Sequence, residues 1–409
     1  MTSIDAGARA VRLSDRRRRL ATAAVAYAFW ITMVGTTVPT PLYPLYERTF
    51  GFSSFAATVV FAVYACGVVG GLLVLGRLSD QIGRRPVQAA ALLMSVAAAV
   101  MFLLAEGLTA LLVGRVLSGL SAALITAAAT AGLTELAPAA RRAGAGILAL
   151  AANMGGLACG TVLSGVTAQY APAPLRILWG VQGALAVVAL IGLVAVPETV
   201  VPTGRGSLGV QRLRVPAAVR GAFLRSALVS GSGFAVLGVF ASVSGLFLAE
   251  VRVRNLAVAG VVVAFAFLGT GAGQLLVSGL GARAALPVAC CGLVVAAALI
   301  ATALLGKLLV PLIAASVLTG LATGVAVRDG VTLIATSVAP ERRGEAFSAF
   351  FVILYAMLAA PAVGVGVLVE AYGLTTAGTV FTATVAALAA AVLAALVRDR
   401  EGRDFRSPT

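Results

Sequence analysis

Runs of apolar residues separated by short polar gaps repeat along the whole chain, each long enough to cross a bilayer as a helix of about 20 residues. Twelve such runs cover 20–42, 55–76, 87–105, 108–136, 144–168, 175–197, 223–249, 256–280, 284–306, 308–338, 344–369 and 374–397. None shows the period-two alternation over about ten residues that membrane-spanning strands require, so the pattern predicts helices and excludes a porin-like barrel. The splits at Glu106-Gly107 and Gly306-Lys307 rest on two residues each. The first run follows an arginine-rich segment, yet it is longer than the apolar region of a secretory signal and eleven more follow, so it reads as a retained helix.

The polar positions orient this array. With the N-terminus in the cytoplasm, 23 of the 30 basic residues fall in inside segments, from Arg9, Arg12 and Arg16–Arg19 through Arg77, Arg84 and Arg85 to the tail from Arg398. Only Arg48, Arg176, Arg252, Arg254 and Lys307 fall outside. Short cytoplasmic loops collect Lys and Arg, so both termini are expected in the cytoplasm and the chain in the plasma (cytoplasmic) membrane.

One composition break, with Pro197, Pro202, Pro216 and five arginines, divides the spans into two sets of six. The expected organisation is a basic segment 1–19, a six-helix bundle 20–197, a cytoplasmic linker 198–222, a second bundle 223–397 and a tail 398–409. The halves echo each other weakly. Gly119-Leu120 and Gly320-Leu321, Arg141-Arg142 and Arg342-Arg343, and Gly165 and Gly366 are each 201 residues apart. Parallel six-helix repeats with a substrate path between them are one way transporters are built. The fold class is therefore all-α and membrane-embedded, with twelve helices in two pseudo-symmetric bundles.

Composition narrows the chemistry. The 409 residues are 60% hydrophobic and 11% charged, with a mean hydropathy of +1.04, too apolar for a water-soluble surface. The net charge of +15 would suit a nucleic acid, but the basic residues sit in the loops that orient the spans, so no nucleic-acid partner is expected. There is no histidine, and Cys66, Cys159, Cys290 and Cys291 lie in apolar runs without metal-ligand spacing, so no metal and no cofactor is expected. The only lysine, Lys307, is followed by Leu308, which excludes a phosphate-binding Gly-Lys-Ser/Thr loop. A membrane enzyme would lack both histidine and a cluster of acids and nucleophiles.

The densest charge lies between the second and third runs, Gly76-Arg77-Leu78-Ser79-Asp80-Gln81-Ile82-Gly83-Arg84-Arg85-Pro86. With Gly76, Leu78, Asp80, Gly83, Arg84 and Arg85 it resembles the loop motif of the major facilitator superfamily, in particular its twelve-helix proton-coupled efflux branch. The resemblance covers essentially the whole length. It implies a cytoplasmic latch in which Asp80 faces the start of the eleventh helix near Arg343-Gly344-Glu345, while Arg84 meets Glu135 at the end of the fourth. The alternative is that these charges only stop and anchor the helices. The corresponding turn of the second half, Gly279-Leu280-Gly281-Ala282-Arg283-Ala284, lacks the acid.

Arg115-Val116-Leu117-Ser118-Gly119 in the fourth run is similar to the family's Arg-x-x-Gln-Gly motif, which implies a part in proton coupling. An arginine so deep otherwise snorkels to the interface. The fifth run has no proline where the efflux branch has Gly-Pro, and the first has no acid. Arg328 and Asp329 in the tenth run are the other deep charges. Asp329 is the candidate proton carrier, because a carboxyl withdrawn from water can exchange a proton near neutral pH, with Arg328 as its tuning partner. A static ion pair and a site wetted from the cytoplasm are the rival readings. Tyr27, Trp30, Thr37, Asn153, Gln182, Gln274 and Tyr355 are the candidate lining of a mostly apolar cavity. Small-residue stripes at Ala152/Gly156/Gly160/Ser164, Gly269/Gly273, Gly67/Gly71 and Ala360/Gly364 are expected where the halves touch.

Together these features point to a monomeric secondary transporter in the lipid bilayer, working by alternating access. It would export small hydrophobic or amphipathic molecules in exchange for protons. An uptake symporter is the alternative, and a transport-inactive sensor the reading from another class.

Overall fold

The computed structural model describes residues 14–76, 78–200, 209, 211, 213–281 and 283–404. Arg9, Arg12, Arg77, Arg205, Arg212, Ala282 and the last residues of the tail lie outside the described residues, as does most of the expected N-terminal segment. Among the described residues every regular element is helical. Twelve helices are long and apolar enough to cross a membrane. They are α1 (Asp15–Phe50), α2 (Ser54–Leu75), α3 (Arg84–Leu103), α4 (Leu108–Leu136), α5 (Ala139–Tyr170) and α6 (Pro174–Ala195) in the first half. The second half holds α7 (Ala217–Glu250), α8 (Leu256–Gly279), α9 (Ala285–Gly306), α10 (Leu309–Ser337), α11 (Pro340–Tyr372) and α12 (Leu374–Asp399).

The apolar runs locate every helix but shorten several. α7 and α11 begin at 217 and 340, ahead of the expected 223 and 344. Their first turns carry Arg220 and Glu341, charges that a helix accepts at its wetted end but that hydropathy discounts. Pro39, Pro41 and Pro44 break α1 into Asp15–Thr37, a tight turn Thr40–Leu42 and Tyr43–Phe50, since proline has no N–H to continue the hydrogen-bond ladder. The narrow split before α10 is made by Lys307, which takes up φ +54 to end α9.

Packing repeats at a six-helix offset. α2 lies on α4 as α8 lies on α10, α1 on α5 as α7 on α11, and α3 on α6 as α9 on α12. The halves meet along α5/α8 and α2/α11. Gly119 and Gly320 do the same work in each half. A Cβ on Gly119 would run into the Tyr64 carbonyl and sit 2.9 Å from Gly67 Cα, and one on Gly320 would meet the Ala266 carbonyl and Gly269 Cα at the same 2.9 Å.

This corrects the expected use of the small-residue stripes. Gly156 packs on Trp30 and Met33 of α1, Gly160 on Val34 and Thr37, and the Ser164 hydroxyl donates to the Val38 carbonyl at 2.5 Å. Gly67 and Gly71 face α4, Gly269 and Gly273 face α10, and no atom outside its own helix lies near a Cβ built at Gly364. These stripes join helices inside each half. Across the halves, Gly165 packs on Leu256, Ala257 and Gly260, and its counterpart Gly366 packs on Thr58.

Candidate functional site

Between α2 and α3, a one-turn helix Leu78–Ile82 stops at Gly83, whose φ of +109 is a conformation that favours glycine, and α3 starts at Arg84. The Arg84 guanidinium gathers Asp80 at 2.5 Å, the Ser79 hydroxyl at 2.7 Å and Glu135 at 2.9 Å. Glu198, just past α6, accepts the free N–H groups of Arg84 and Arg85 at 2.8 and 3.1 Å. A carboxylate there satisfies two orphan donors and complements the helix dipole. The Thr199 hydroxyl donates to Glu135 at 2.5 Å. Glu198 and Thr199 were not singled out in the sequence, where the only signal was an acid immediately after the last span of a half.

The geometry changes the latch. Arg84 and Glu135 belong to the same half, so their pair does not join the two halves. Asp80 turns onto Arg84 with 64% of its side chain exposed, rather than onto the start of α11. Arg343 there donates its Nε to the Val338 carbonyl at 2.9 Å. Gln211 of the linker occupies the seam instead. Its N–H donates to Leu73 of α2 at 2.8 Å, its side-chain carbonyl accepts from Ser348 of α11 at 2.5 Å, and Gly76 makes room for its amide.

At the other end the halves bond directly. The Phe55 N–H donates to Glu370 at 3.3 Å, the Leu256 N–H to the Gln169 side-chain carbonyl at 2.9 Å, and Asn255 to the Tyr170 hydroxyl at 3.4 Å. At this end the two halves are thus held together, while at the opposite end Asp80 bonds to Arg84 and not to α11.

Arg115 is 1% exposed, so it does not snorkel. Its Nη1 donates to the Thr36 carbonyl at 2.8 Å, and Nε and Nη2 donate to the Tyr43 hydroxyl. The rings of Tyr43, Phe61 and Tyr64 lie 5.5, 6.0 and 5.4 Å from the guanidinium carbon. The proline break in α1 makes this possible, since the last carbonyls of Asp15–Thr37 have no helical partner. No carboxylate pairs with Arg115 among the described residues. Hydrogen bonds and ring faces carry the charge instead. The Tyr64 side chain also lies against Tyr355 of α11, which brings this cage to the seam between the halves.

Asp329 is half-buried and accepts from Ser226 of α7 at 3.3 Å. Arg328 is exposed, and the ion pairs among the described residues do not join the two. The static-pair reading therefore does not describe this arrangement.

Two of the seven cavity candidates have their polar groups engaged within the first half. Gln182 is 2% exposed and donates to the Ile31 carbonyl at 2.9 Å, and the buried Thr37 hydroxyl donates to the Leu157 carbonyl at 2.8 Å. Both polar groups are consumed by joints between helices of the first half. Tyr27 also donates inward, to the Leu185 carbonyl at 3.3 Å, and stacks on Trp30. Asn153, Gln274 and Tyr355 remain half-buried on the seam helices, and Tyr355 meets Phe234 of α7 edge-on at 5.9 Å. Met154 of α5 reaches Gly271 of α8.

Two bundles of six spans related by an internal repeat, meeting along a seam with a buried charge beside it, define a membrane transporter fold. A family model described as Major Facilitator Superfamily matches residues 25–256, and the chain belongs to that superfamily. No curated protein matches the sequence. A bacterial homologue of the human lysosomal transporter Spinster, inward-facing and unoccupied, is similar with a TM-score of 0.72 at 18% identity, covering 95% of this chain and 99% of that one. The nucleoside transporter NupG gives 0.72 at 13% identity over 91% and 99%. A POT family transporter in complex with 5-aminolevulinic acid gives 0.73 at 11% identity over 93% and 96%. At these identities the likeness is one of fold. The protein is a membrane transporter and not an enzyme; like others of its superfamily it sits in a bilayer and binds small molecules.

Proposed function

We propose that this transporter exports small hydrophobic or amphipathic molecules from the cytoplasm in exchange for protons, as a monomer in the plasma membrane with both termini inside. The observation that carries the cargo class is the surface along the seam. Met154, Phe234 and Tyr355 present thioether and aromatic faces there, and Trp30 stands nearby on α1. The polar side chains of Thr37 and Gln182 are already bonded to backbone carbonyls of the first half. A sugar or phosphate would require dense unpaired donors and charges, whereas an apolar solute requires area and few hydrogen bonds.

Asp329 supplies the exchangeable proton, and Arg115 acts as a fixed positive charge beside the seam. Rigid halves are what alternating access needs, and the close glycine packing inside each half supplies them. The test is accumulation of a panel of lipophilic dyes in cells with and without the protein. Export lowers accumulation, and an uncoupler restores it. Raised accumulation of a dye would instead make the protein an importer.

A further inference from the structure

A groove of about 470 Å³ opens at the cytoplasmic end of the second half, within the ~300–1,000 Å³ range of small-molecule sites. Its walls are linker residues Leu213–Ala217, the first turns of α7, and Arg342 at the start of α11. Three arginines converge on it, Arg214, Arg220 and Arg342, and no carboxylate lines it. None of the three takes part in an ion pair among the described residues. The neighbouring Arg225, by contrast, is paired with Asp399 at 2.6 Å.

The remainder of the lining is apolar. Phe223 is buried and packs edge-on against Phe350, while Leu213 and Leu224 leave 47% and 50% of their surface uncovered. The groove is also held in shape. Arg220 donates its Nε to the Val215 carbonyl at 3.2 Å, and Gln211 anchors the chain ahead of it to α2 and α11.

We infer that this groove binds the headgroup of an anionic phospholipid of the cytoplasmic leaflet. The phosphate lies among Arg214, Arg220 and Arg342, and the acyl chains lie over Leu213 and Leu224. Arginine guanidinium groups bind phosphate oxygens in pairs. A basic pocket where spans emerge on the cytoplasmic side has the electrostatics for an anionic headgroup. The two leucines decide between a lipid and a free anion, because inorganic phosphate would leave both exposed to water.

The test is native mass spectrometry of the full chain released from nanodiscs of phosphatidylcholine with a minor share of phosphatidylglycerol. The wild type retains phosphatidylglycerol preferentially. Arg214→Ala and Arg342→Ala each lower that retention about fivefold, and the triple variant with Arg220→Ala removes the preference. The control Arg141→Ala/Arg142→Ala, at another cytoplasmic turn, leaves it intact. Equal retention by wild type and both single variants overturns the site. So does an equal loss in the control, which would mean a diffuse charge effect, or full displacement of the lipid by millimolar inorganic phosphate, which would mean a free-anion site.

Discussion

The two halves of this transporter share a scaffold but not a chemistry. Counting 201 residues onward from the first half, Gly119 becomes Gly320, and a Cβ on either would come to the same 2.9 Å from the Cα of a glycine on the neighbouring helix. Arg115 becomes Ser316, whose hydroxyl donates to the Val262 carbonyl. Glu135 becomes Thr336, bonded to its own helix at Thr332. The Asp80–Arg84 turn has only Gly279–Ala284 opposite it, without an acid. Glycines at close approaches are what the bundle needs twice. The caged arginine and the arginine–carboxylate cluster are needed once.

The comparison can be broken by moving charge between halves. Ser316→Arg would place a guanidinium where neither a proline-broken helix nor a tyrosine waits for it, and is expected to cost about 3–5 kcal/mol, the scale of an uncompensated buried charge. Folded yield and thermal unfolding in detergent check this, and a near-neutral result would mean that the second half can cage a charge too. Gly119→Val and Gly320→Val sharpen the shared part. Each is expected to cost about 1–3 kcal/mol by overpacking, and the two should agree closely. Arg84→Ala, which leaves Asp80 and Glu135 without their common partner, is expected to lower stability by about 1–2 kcal/mol. Smallest are Glu135→Gln and Thr336→Glu, each within about 1 kcal/mol, because both sites are partly or fully exposed. A large effect at Thr336 would show a second-half cluster that its residues do not suggest.

The scaffold was legible because membrane helices announce themselves by length and apolarity, and because arginines such as Arg141 and Arg342 repeat at a fixed offset. The site was less so. Arg115 stood out as a deep charge, but its cage could not be read, since Thr36, Tyr43 and Phe61 come from two other helices and one partner is a main-chain carbonyl freed by prolines. Glu198 was missed for a similar reason, as its role depends on α6 ending beside the start of α3. The small-residue stripes were seen but assigned to the wrong neighbours, because a stripe marks a close approach without naming the helix that approaches. That Gln182 and Thr37 are already bonded to carbonyls of neighbouring helices was not legible either, because sequence cannot tell an open polar group from one bonded across a helix pair.

The claim that proton exchange in this asymmetric molecule runs through the half-buried carboxyl of α10 is tested most directly in proteoliposomes carrying an imposed pH gradient and a pH-sensitive dye. Addition of a transported solute should release protons with the wild type and with Asp80→Asn, and should release none with Asp329→Asn. Solute-driven proton release that persists unchanged in Asp329→Asn would contradict the account.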